Sequence, residues 1–154
     1  MRRAHREAQT VVHRLIGLDN PSLNLYLLRN QDEGTMRILA VEDESEYLEM
    51  LQEVMRSIGH SITIAENGAE ALKLLDEQKV DVIVSDVKMP KMNGIEFHQK
   101  VRIKPAYRNT PFIFLTGVDD LSEVKSVCKA DCDLLLQKPF PIDKLIQMFA
   151  GQMK

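Results

Sequence analysis

Long apolar runs are missing from this 154-residue chain, so nothing in it reads as the roughly 20-residue stretch that spans a bilayer. The arginine-rich start, Met1 to Arg14, has no continuous apolar segment either, and so no signal-peptide core. Cysteine is scarce. Cys128 and Cys132 stand four apart on or just after a helical pattern, which fits small buried residues in a reducing compartment better than a disulfide or a metal site. The four histidines, His5, His13, His60 and His98, are scattered and none has ligand spacing to a cysteine. Glycine-rich phosphate loops of the GxxxxGK(S/T) or GxGxxG type are absent, so nucleotide binding has no support. No sign of charge dominates: the net charge is −3 with both signs mixed along the chain, which leaves no footprint for nucleic acid. These absences predict a soluble cytoplasmic protein with neither a membrane nor a nucleic acid as partner.

What is present, from Met36 onward, is an alternation of apolar runs and helical patterns. Arg37 to Val41 (RILAV), Ile62 to Ala65, Val80 to Ser85, Phe112 to Leu115 and Leu134 to Leu136 read as strands. Between them, Tyr47, Leu48, Leu51, Val54, Met55 and Ile58 recur at helical spacing, with Gly59 as the stop. Asn67 with Glu70 forms a capping-box signal ahead of Ala71, Leu72 and Leu75. A further helix carries Ile95, Phe97 and Val101. Another carries Leu121, Val124, Val127 and Cys128, with Asp120 and Glu123 as its cap, and Glu44 reads as the cap of the first helix. Pro141 opens a last helix through Ile142, Leu145, Ile146 and Phe149. Strands apolar on both faces belong in a parallel sheet covered on both sides. Strict alternation predicts a doubly wound α/β domain of the (βα)5 kind.

In such sheets chemistry sits beyond the carboxyl ends of the strands, and that is where the unusual residues fall. Strand one ends in Glu42-Asp43-Glu44, strand three in Asp86, strand four in Thr116, and strand five is followed by Lys138-Pro139-Phe140. If strands one and three are neighbours, Glu42, Asp43 and Asp86 crowd together and repel. A hard divalent cation such as Mg²⁺ relieves that repulsion. With Lys138 added, the site gathers anionic oxygens around a metal, as phosphoryl transfer requires. Strand-end acids are often only helix caps, but five polar or charged residues spread over four strand ends make that reading poor.

From Met36 to Lys154 the chain resembles a response-regulator receiver domain. The resemblance rests on the pair Glu42-Asp43, the segment "SDVKMPKMNG" around Asp86, "FLTG" ending at Gly117, "KPF" at Lys138 and the phrase "GHSITIAENGAEAL". It implies a flavodoxin-like strand order 2-1-3-4-5. It further implies that Asp86 is the phosphoacceptor, taking a phosphoryl group from a phosphohistidine on a sensor histidine kinase or a phosphotransfer protein. Asp43, Asp86 and the backbone carbonyl of Lys88 would ligate Mg²⁺, with Glu42 acting directly or through water. Thr116 and Lys138 would contact phosphoryl oxygens, helped by the backbone N–H groups of Lys88 and Gly117. Pro90 and Gly94 would shape the loop after Asp86, and the Lys138–Pro139 bond would be cis. Such a protein catalyses only its own phosphorylation and dephosphorylation.

Three positions depart from the family pattern. Glu42 stands where aspartate is frequent, Leu135 where an aromatic residue is frequent, and Asp131 where glycine is common. A rival phosphoenzyme family, the haloacid-dehalogenase-like phosphatases, needs a second aspartate two residues after the nucleophile. This chain has Lys88 there, and an ammonium is a poor general acid–base at neutral pH.

Residues 1–35 read as a helical extension and linker, with an apolar stripe of Ala8, Val11, Val12, Leu15 and Ile16. The extension is expected to dock on the receiver, to pair with a second copy in a homodimer, or to end an upstream region. No DNA-binding output is expected, so the signal would pass to a downstream protein by contact. Two other readings stay open: a receiver-like scaffold without phosphorylation, and the C-terminal receiver of a larger hybrid kinase.

Overall fold

The computed structural model describes residues 35–129 and 132–137. The expected N-terminal extension, the Lys138-Pro139-Phe140 segment, Asp131 and the last helix lie outside those residues. The five strands are β1 (Arg37–Val41), β2 (Ser61–Ala65), β3 (Val82–Asp86), β4 (Phe112–Thr116) and β5 (Asp133–Gln137). They form one sheet in the order β2-β1-β3-β4-β5, with every pair parallel. This is the flavodoxin-like order, and the doubly wound α/β expectation holds. The helices are α1 (Ser45–Ser57), α2 (Gly68–Glu77), α3 (Gly94–Arg102) and α4 (Leu121–Val127), with short 3₁₀ turns at Pro105–Tyr107 and Val118–Asp120.

The period of two along each strand divides the core into two layers. Ile38, Ala40, Val82, Val84, Ile113 and Leu115 face one way, onto Leu48, Leu51 and Met55 of α1. Leu39, Val41, Ile83, Phe112 and Phe114 face the other way, onto Ala71 and Leu75 of α2, Phe97 and Val101 of α3 and Val124 of α4. Full burial of one such side chain is worth about 1.5–3 kcal/mol, so both faces are needed to hold the strands in register. Leu135 pairs with Phe114 and packs, partly buried, on the second layer as an ordinary strand residue.

Helix ends agree with the sequence in part. Gly59 ends α1 at φ 92°. Its N–H donates to the Arg56 carbonyl and that of His60 to the Met55 carbonyl, the paired bonds of a Schellman motif. Asn67 Oδ1 accepts from the Glu70 N–H at 2.9 Å, whereas the Glu70 carboxylate accepts from the Glu66 N–H rather than from that of Asn67. Asn93, not foreseen as a cap, does the same for α3 through the Glu96 N–H at 2.9 Å. Two expected caps are corrected. Glu44 and Asp120 occupy the N-cap positions of α1 and α4 but make no capping hydrogen bond. Asp120 has helical backbone angles, because a 3₁₀ turn runs into α4 and leaves no extended residue to cap it.

A second polar cluster was not legible in the sequence. Asp133, at the start of β5, is buried against His98 and Arg102 of α3, and its Oδ2 accepts from the Lys129 N–H at 2.7 Å. Arg102 Nη1 also donates to the carbonyls of Tyr107, Arg108 and Thr110. The Tyr107 hydroxyl donates to the carbonyls of Leu75 and Gln78. Nearby, burial and the Asp133 charge push the Cys128 thiol up to about 11, so it carries no thiolate at neutral pH.

Candidate functional site

Strand order brings the candidate residues together. Val41 pairs with Ser85 across β1 and β3, so one step further along the strands Glu42 comes level with Asp86. Asp86 pairs with Leu115 across β3 and β4, which puts Thr116 one step beyond it on the other side. Oxygen atoms of Glu42, Asp43 and Asp86 all lie within 4.8 Å of one another. Glu42 and Asp86 are buried and Asp43 is exposed, so the cluster opens to solvent on one side. Carboxylates crowded this closely repel. Three hard oxygen donors with one open side suit a divalent cation that keeps part of its water shell.

The Asp86 carboxylate is fixed from its own strand end. The Val87 N–H donates to Asp86 Oδ1 at 2.8 Å. The buried Ser85 hydroxyl donates to the Asp86 carbonyl at 2.8 Å. The Gly94 N–H donates to the Val87 carbonyl at 2.8 Å. A Cβ on Gly94 would meet the Asp86 carbonyl oxygen at 2.1 Å, so only glycine lets α3 start this close to the strand. Between them, the Met92 N–H donates to the Pro90 carbonyl at 2.7 Å around Lys91, whose φ is 67°. That is a γ-turn with positive φ at its centre, a strained conformation for a residue with a side chain. The loop after Asp86 is thus shaped by Pro90 and Gly94, as the sequence indicates, and by Lys91, which it does not.

On the far side, Thr116 is buried and its hydroxyl donates to the Gly117 carbonyl at 3.1 Å. Space is open beside Gly117, where a Cβ would meet nothing within 4 Å. The Lys88 ammonium lies 3.8 Å from Asp120 Oδ2. Sequence reasoning missed Ser85, whose only signal is that it is the one hydroxyl in the apolar run "VIVSD". The Lys88–Asp120 pairing had no local signal at all. Lys138 lies outside the described residues. Among the described residues the structure brings Glu42, Asp43 and Asp86 together, and Lys88 and Thr116 are candidate positions at the ends of β3 and β4.

Known proteins carry the same arrangement of elements. Residues 38–150 match the response regulator receiver domain family. The chain is 33% identical over 111 residues to a probable chemotaxis protein CheY of Rhizobium etli, covering 71% of this chain and 86% of that protein. It is 34% identical over 111 residues to response regulator MprA of Mycobacterium leprae, covering 72% of this chain but only 48% of that longer protein. The structure of chemotaxis response regulator CheY4 of Vibrio cholerae superposes with a TM-score of 0.66 at 30% identity, over 77% of this chain and 99% of that one. Sheet order, strand-end acids and these relatives agree, and the chain belongs to the response regulator receiver domain family of two-component systems.

Proposed function

We propose that this receiver, residues 36–154, accepts a phosphoryl group on Asp86 from the phosphohistidine of a sensor kinase or phosphotransfer protein. The observation that carries this reading is the convergence of Glu42, Asp43 and Asp86 to within 4.8 Å at the ends of two adjacent strands. In the transfer, an Asp86 carboxylate oxygen forms a bond to phosphorus as the P–N bond breaks. The imidazole leaves with the bonding electron pair and takes up a proton. Glu42, Asp43, Asp86 and the Lys88 carbonyl would hold Mg²⁺, which when bound offsets charge on the carboxylates and the phosphoryl oxygens. The Val87 N–H keeps the carboxylate aimed. The Thr116 hydroxyl, now satisfied by the neighbouring Gly117 carbonyl, gives up a local bond to donate to the phosphoryl oxygen. Lys138 pairs with another phosphoryl oxygen.

The phosphorylated domain then signals by contact with a downstream protein, in the cytoplasm, where reduced cysteines and the kinase partner are both at home. Residues 1–35, the expected extension, would dock on the receiver, pair with a second copy, or end an upstream region. Incubation with a small acyl phosphate and Mg²⁺ tests the assignment. A base-labile gain of one phosphoryl mass is expected in the chain and its loss in Asp86→Asn. Equal labelling of both would assign the phosphate elsewhere.

A further inference from the structure

We infer that Asp120 is a positioning residue that competes with the phosphoryl group for Lys88, so that occupancy of Asp86 exchanges one partner of this lysine for another. The inference rests on the phosphoacceptor reading of Asp86. Three observations support it. Lys88 Nζ lies 3.8 Å from Asp120 Oδ2, which ties the loop after β3 to the loop after β4 at the carboxyl end of the sheet. Asp120 holds the N-cap position of α4 yet makes no capping hydrogen bond, so its carboxylate is not committed to the helix. Lys88 is only two residues from Asp86, within roughly 7 Å of backbone, and its ammonium sits on a flexible four-carbon stem.

The two anions offered to Lys88 are unequal. Asp120 carries one charge. A phosphoryl group on Asp86 carries close to two, with three strong acceptor oxygens. The Lys88 side chain is 70% exposed and that of Asp120 17%, so their pairing is weak and easily exchanged. It still opposes every anion that must draw Lys88 away. By linkage, removing Asp120 strengthens the site's hold on such an anion by the amount the pair was worth, about two- to fivefold in affinity. Removal of Asp120 from a chain without the lysine gains nothing.

Beryllofluoride with Mg²⁺, a stable mimic of a carboxylate-bound phosphoryl group, reads this directly in a titration. Asp120→Asn is expected to bind it about two- to fivefold more tightly than the parent chain at low ionic strength, with the gain fading in high salt. Asp120→Glu, which restores the carboxylate, should return the affinity toward that of the parent. In a Lys88→Gln background, Asp120→Asn should change nothing. Asp119→Asn, the same loss of charge one residue away, should leave affinity unaltered. Equal gains from Asp119→Asn, or a gain that survives in Lys88→Gln, would show a general field effect and overturn the inference. No gain from Asp120→Asn would overturn it as well, while a parent chain that forms no adduct overturns the phosphoacceptor reading itself.

Discussion

His98 Nε2 lies 2.8 Å from Asp133 Oδ2, and both side chains are almost fully buried between α3 and β5. Burial pushes the Asp133 pKa up. The hydrogen bond and charge of His98, the Arg102 guanidinium and the Lys129 N–H outweigh it and hold the carboxyl below its usual 3.8. Asp133 is therefore an acceptor, and His98 Nε2 donates to it. His98 stands edge-on to Phe112, with ring centres 4.9 Å apart, and lies 5.0 Å from Phe114. A folded-state pKa below the unfolded one contributes stability above the unfolded pKa, near 4, and loses it as pH falls through the lowered value. Urea midpoints should thus hold steady above about pH 5 and drop below about pH 4. Asp133→Asn should flatten that drop. It should also cost about 3–5 kcal/mol at neutral pH, because Arg102 is left buried without its counter-charge. An acid limb as steep in the variant as in the parent would contradict this account.

Loss of the proposed acceptor should not cost the fold. Asp86→Asn removes one of three crowded negative charges, and the amide oxygen still accepts from the Val87 N–H. In the absence of Mg²⁺ the variant should be more stable by about 1 kcal/mol, a rise of roughly 3–6 °C in Tm for a domain of this size. Scanning calorimetry in chelator checks the sign, and a lower Tm would mean that the carboxylates do not repel.

The paired substitution Glu42→Gln with Asp43→Asn should weaken Mg²⁺ binding and abolish phosphotransfer, while leaving β1 intact. The metal's purpose at such a site is to offset charge on protein and phosphoryl oxygens together. Transfer rates measured with excess chelator should fall in the parent chain to the level of the double variant. Undiminished transfer in chelator would rule out a metal-dependent site.

Gly94→Ala should damage fold and chemistry together. Its Cβ would sit 2.1 Å from the Asp86 carbonyl oxygen, so the start of α3 must move away from the strand that carries Asp86. Overpacking of this kind costs about 1–3 kcal/mol, and the displaced Asp86 backbone should slow phosphorylation at saturating Mg²⁺. Normal transfer with reduced stability would show that the loop yields instead of the strand.

The parts of the fold that were legible were those with local signals. Val80 to Ser85 and its four companion runs stand out because each is short and apolar, although the third strand itself runs Val82–Asp86, and Gly59 and Asn67 stand out because their stop and cap chemistry is local. The positions of the candidate site were legible for the same reason: Glu42, Asp86 and Thr116 each stand at or just past a strand end, and parallel topology gathers strand ends on one edge. Caps that depend on backbone angle were not legible. Asp120 looks like a cap in sequence, but the preceding 3₁₀ turn denies it the extended conformation. The Asp133–His98–Arg102 cluster was hidden because its members are 31 and 35 residues from Asp133, and no spacing rule connects them. Lys91 was hidden because a residue with a side chain gives no hint of positive φ.

The strand order also dictates how the chain can be assembled. β1 lies between β2 and β3, and every neighbour is parallel, so no two strands can zip together as a local hairpin. Each pairing must wait for a crossover to close, which makes folding of such sheets slow relative to helical bundles. During synthesis β1 emerges first, yet one of its edges stays uncovered until Val82 to Ser85 has been made. Until then its unpaired N–H and C=O groups are an open template for another nascent chain. A chain cut before β3 would keep that edge exposed and open to pairing with a copy of itself.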